Sequence, residues 1–271
     1  MKYFKLTIEY LRKNFFRLFL LVLLPATVLG LFCEPASMPV LLKQIGASGE
    51  TMTFGEIYGN TTTFYQAWWQ IVLIIIVPVF GISAMAGVID RDVKIGEFTF
   101  RKIHIRVNEN FWMATTVVII VIIILELAQL MLAALIGLWL TVLPLSTGLI
   151  LSWISVALIY FLAMCVFTTG AMWIPHTLNT GYSPLRALFD AIRQTRDHFW
   201  ALFAGAILSM LPLLVIVFVE GLLALGITQI VVGVCYGLLI IYYASFIFVT
   251  YYDIEGLERE DLNKIKIWSR K

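Results

Sequence analysis

The sequence predicts an all-α fold: a polytopic membrane helix bundle of six transmembrane helices in three hairpins, with interfacial amphipathic lead-in helices and both termini cytoplasmic. Three observations predict it: an apolar composition, six apolar runs of spanning length, and basic residues confined to alternate connections. The 271 residues are 61% hydrophobic and 13% charged, with mean hydropathy +0.93. An ordinary soluble domain carries roughly 25% charged residues. A chain this apolar cannot cover a water-facing surface.

A spanning helix needs ~20 mostly apolar residues, because in hydrocarbon each backbone N–H and C=O must find its partner within its own segment. The runs fall at residues 15–32, 68–88, 112–142, 149–173, 200–225 and 227–252. The third is too long for a hydrocarbon layer of ~30 Å, so it is expected to tilt or project. Pro144 is the expected breaker after it. Residues 32–33 lack the small residue that signal cleavage requires, so the first run reads as a retained anchor.

Orientation follows from the 19 basic residues, all but Lys43 lying before or at the start of the first run, between the second and third, between the fourth and fifth, or after the sixth. The positive-inside rule puts those segments, and both termini, in the cytoplasm of a cell membrane, facing an anionic inner leaflet. That leaflet accounts for the positive charge without a nucleic-acid partner. Trp and Tyr prefer the headgroup level. Trp112, Trp173, Trp200, Tyr251 and Tyr252 would mark the inner interface, and Trp68, Trp69, Trp139 and Trp153 the outer one.

The whole chain reads as one integral membrane domain with an internal repeat over residues 1–88, 89–173 and 183–252. Similar junctions open three of the runs: Asn14-Phe15-Phe16, Asn110-Phe111-Trp112 and His198-Phe199-Trp200. Basic amphipathic segments precede the first and third junctions, the latter with Ser183-Pro184 as N-cap and first helical residue. Such segments lie in the membrane interface. The middle segment, from Phe98 to Val107, reads as helical. Residues 33–67 form the one long outer connection, short of the ~40 residues needed to fold unaided.

Candidate functional residues are few. Glu126 and Glu220 interrupt apolar runs, where ionisable groups are expensive and mark functional sites by default. Glu126 lies deeper and has Gln129 one turn away; it is either a proton- or cation-handling site or a protonated carboxyl orienting the bundle. Glu220, near the outer headgroups, reads as a solvated interfacial carboxylate. Pro25, Pro78 and Pro212 are expected to kink their helices. Ser83 with Gly87, and Gly233 with Gly237, are small-residue pairs for close helix packing within the chain. His104, His176 and His198 read as interfacial polar residues. Three dispersed cysteines make no metal spacing. No HExxH, P-loop, nucleophile elbow or dinucleotide loop is present, so no enzyme, metal or cofactor is expected.

The stretch from Pro78-Val79-Phe80-Gly81 through Arg91-Asp92 and Gly96-Glu97-Phe98 to Glu109-Asn110-Phe111-Trp112 resembles the YesL-like family of bacterial membrane proteins. The segment Ser183–Trp200 is similar to the lead-in of that family's last hairpin. The resemblance implies a Gram-positive cell membrane and genes beside carbohydrate ABC importers, but no catalytic residues. The expected function is therefore non-enzymatic and transport-associated: an accessory or assembly factor of a permease, with ABC transporter subunits as partners. A stand-alone transporter or channel using Glu126, and a membrane-embedded enzyme acting on lipid, are the alternatives.

Overall fold

The computed structural model describes residues 2–50, 52–62, 67–96, 98–100, 102–223 and 229–257. Among them the chain forms helices α1 (Lys2–Phe32), α2 (Ser37–Ser48), α3 (Phe54–Thr61), α4 (Trp68–Ile95), α5 (Ile103–Val142), α6 (Leu145–Thr169), α7 (Trp173–Thr180), α8 (Pro184–Leu223) and α9 (Gln229–Ile254). Six of these are long and apolar enough to cross a membrane: α1, α4, α5, α6, α8 and α9. The protein is a polytopic membrane protein built as an all-α bundle.

The breaks follow from local chemistry. Pro144 separates α5 from α6, and Gly49, Gly96 and Gly181 close α2, α4 and α7 in the left-handed conformation, each returning its N–H to a carbonyl four residues back. At the start of α3, the Glu56 carboxylate accepts from the Thr53 N–H at 2.8 Å and the Thr53 hydroxyl at 2.9 Å, which holds its carboxyl below the usual range. Pro184 opens α8 as expected from the Ser183-Pro184 signal.

The lead-in segments are not separate elements. The amphipathic starts of α1 and α8 continue unbroken into the spanning portions, because Asn14 and the residues 196–199 keep helical backbone across each junction. At 40 residues each, α5 and α8 are about 60 Å long, twice the ~30 Å hydrocarbon thickness. The middle lead-in is only partly helical: residues 98–100 lie outside any helix, and α5 starts at Ile103 after Lys102, whose φ is 60°.

Between lipid-soluble helices there is no water to expel, so contact comes from small residues that let backbones approach. The expected small-residue pairs act within the chain. Gly233 faces the Ala26 carbonyl and Gly237 the Ala26 side chain, joining α9 to α1, the most extensive pairing in the bundle. A methyl on Gly87 would lie 2.7 Å from the Asn110 amide nitrogen of α5. Ser83, fully buried beside Asn110, completes that seam. Gly81 receives Pro25 of α1. The first and last helices thus close the bundle on each other.

The outer connection is more structured than its Gly- and Thr-rich composition suggests. Met38, Leu42 and Ile45 of α2 and Ile57 of α3 form an apolar cluster with Leu132 and Ile136 of α5 and Val156 of α6. It packs on the C-terminal half of α5 and the facing part of α6.

Because a Cβ at Gly30 would sit 2.5 Å from the Gly233 Cα, Gly30→Ala must part α1 from α9. Overpacking of this kind costs roughly 1–3 kcal/mol. Thermal unfolding in detergent should show a lowered midpoint for Gly30→Ala and none for Gly55→Ala, whose Cβ would meet open space.

Candidate functional site

Glu126 is where an outer segment meets a spanning helix. α3 runs antiparallel along α5, with Phe54 against Gly137 at one end and Thr62 against Glu126 at the other. The Thr62 hydroxyl donates to Glu126 Oε2 at 2.6 Å and the Tyr58 hydroxyl to the same oxygen at 3.4 Å. Phe54 and Tyr58 stack with ring centroids 6.0 Å apart, which fixes the tyrosine beside the helix. Gln129, one turn on, lies against the Tyr160 hydroxyl of α6, and its carbonyl oxygen is buried without a donor.

Glu220 departs from expectation: it is buried and engaged rather than solvated. Pro25 packs into the α1–α4 seam, Pro78 sits inside α4, and Pro212 lines a crevice beside α9.

A second polar constellation lies at the opposite, basic end, where the aromatic residues divide by burial within the protein. Tyr251, Tyr252 and Trp173 are buried at 1%, 5% and 5% exposure, whereas Trp68, Trp112 and Trp200 are 77%, 75% and 76% exposed. The difference is hydrogen bonding. Tyr252 donates to Asp90 Oδ1 at 2.5 Å, Asp90 pairs with Lys94 at 3.0 Å, and Trp173 Nε1 donates to the Pro184 carbonyl at 2.6 Å. His176, also buried within the protein, sets Nδ1 3.2 Å from the Tyr251 hydroxyl, which accepts from Asn179 at 3.3 Å. Asn14 donates to Asp92 at 2.9 Å. These pairs tie α1, α4, α7 and α9 together. The sequence signal for them was the density of Asn, Asp and Tyr at the ends of the apolar runs.

No group of three or more His, Cys, Asp or Glu side chains that could hold a metal occurs among the described residues. No protein-family model, curated protein or solved structure matches the chain.

Thr62→Val removes the shorter bond to Glu126, a loss of about 1–3 kcal/mol. Hydrogen exchange should then rise in α3 while α4 and α9 keep their protection; unchanged exchange in α3 would show that the Thr62–Glu126 bond does not hold it.

Proposed function

We propose that the protein is a non-enzymatic, transport-associated membrane protein, an accessory or assembly factor of a permease. The observation that carries the reading is the use made of Glu126. This carboxylate, which interrupts an apolar run, accepts from the hydroxyls of Tyr58 in α3 and of Thr62 just after it and holds that segment on α5, a structural role. Long helices that extend past the hydrocarbon, braced by hydrogen bonds at the basic end, offer a partner a rigid surface. The YesL-like resemblance narrows the permease to a carbohydrate ABC importer and the setting to a Gram-positive cell membrane. The positive-inside rule supports cytoplasmic termini.

Mild-detergent purification at native expression, followed by quantitative identification of bound proteins, tests the reading. Importer subunits should co-purify in fixed ratio. Recovery of the chain alone would contradict it.

A second reading, a stand-alone transporter or channel, is favoured by one observation: the buried Gln129 carbonyl oxygen awaits a donor or cation one turn from Glu126. On that reading flux into proteoliposomes is pH-dependent and vanishes in Glu126→Gln. On the accessory reading Glu126→Gln, which still offers Thr62 an acceptor oxygen, leaves the fold and partner binding intact.

A further inference from the structure

α9 is flanked by α1 and α8, and these two pack on it far more than on each other. A half-open crevice of about 200 Å³ lies between them. Leu11 and Phe15 form the α1 wall, Pro212 stands on the α8 wall, and Leu238 and Ile241 make the floor. Pro212 cannot donate to the Leu208 carbonyl, which loosens α8 at this level.

Two polar side chains reach the crevice. Ser209 is satisfied, donating to the Ala206 carbonyl at 2.6 Å. The Tyr242 hydroxyl is different: it is buried and has no partner. A buried hydroxyl without a partner is unfavourable, and an acceptor arriving in the crevice would relieve it.

Size and lining define the occupant. The volume exceeds the ~150 Å³ that holds one benzene and falls below the ~300 Å³ at which drug-sized ligand pockets begin. An apolar slot with one donor suits a chain segment carrying a carbonyl, and excludes a sugar, whose many hydroxyls would go unpaired. Charge at the rim selects the headgroup. Arg12 follows Leu11 directly and is exposed, whereas Lys13 and Arg17 lie on other faces of α1, Arg17 over the Phe98 ring. Arg12 projects from the face of α1 next to Phe15, on the side away from the Asn14–Asp92 contact. Cations at this position attract anionic lipid.

We propose that this crevice seats one acyl chain of an anionic glycerophospholipid, with the ester carbonyl accepting from Tyr242 and the phosphate facing Arg12. The site is independent of the permease reading, since it needs only a bilayer.

The full chain, purified in maltoside and stripped of lipid, is titrated with phosphatidylglycerol, phosphatidylcholine or glycerol phosphate, and bound molecules are counted by native mass spectrometry. One phosphatidylglycerol should be retained most strongly, phosphatidylcholine more weakly, and glycerol phosphate not at all. Tyr242→Phe, which keeps the ring, should weaken retention about fivefold, the worth of one net hydrogen bond. Leu238→Trp should fill the floor and abolish it, and Arg12→Gln should erase the preference for phosphatidylglycerol. Wild-type retention in Tyr242→Phe would overturn the proposal, as would retention of glycerol phosphate equal to that of the lipid. If Leu238→Trp fails to fold, the isosteric Tyr242→Phe still decides.

Discussion

Hydrocarbon offers a polypeptide no hydrogen-bond partner and no hydrophobic reward for bringing two apolar helices together. That double constraint governs the molecule. Helices must satisfy their own backbones, and they associate only where side chains are small enough for close contact or polar enough to need a neighbour. The α1–α9 seam meets the first condition through Ala26, Gly30, Gly233 and Gly237. By joining the first span to the last, it makes the bundle a single closed unit.

The second condition explains where the polar residues lie. Asn110 donates to the Ser83 carbonyl at 3.4 Å and Trp139 Nε1 to the Ser155 hydroxyl at 3.0 Å, each linking sequential spans. Glu126 does the same for α3, and the Asp90, Asp92, His176 and Tyr251 contacts for the basic end. Among the described residues these ionisable groups act as fasteners between helices, Glu126 midway along α5 and the others at the basic end.

What was legible in the sequence was whatever depends on composition and short range. The six runs, the Pro144 break, the Ser183-Pro184 start and the glycine pairs each carry their cause within a few residues. What was missed depends on partners far along the chain. α2 and α3 have apolar faces that make sense only against α5 and α6, so their segment reads as loop. That Tyr251 and Tyr252 hydrogen-bond to Asn179 and Asp90 depends on residues 72 and 162 positions away. Glu126 was found by its cost in hydrocarbon, yet its donors Thr62 and Tyr58 lie 64 and 68 residues away, beyond the reach of any periodicity.

The central claim is that six helices cross one bilayer, with the connections around Lys102 and Gly181 on one side and those around Gly49 and Leu145 on the other. Single cysteines at these four positions, in a chain whose Cys33, Cys165 and Cys235 are replaced by alanine, measure it directly with a membrane-impermeant thiol reagent. In intact cells the Gly49 and Leu145 positions should label, and the Lys102 and Gly181 positions only after the membrane is opened. Labelling of all four from outside, or of one from each pair, would contradict the six-span arrangement.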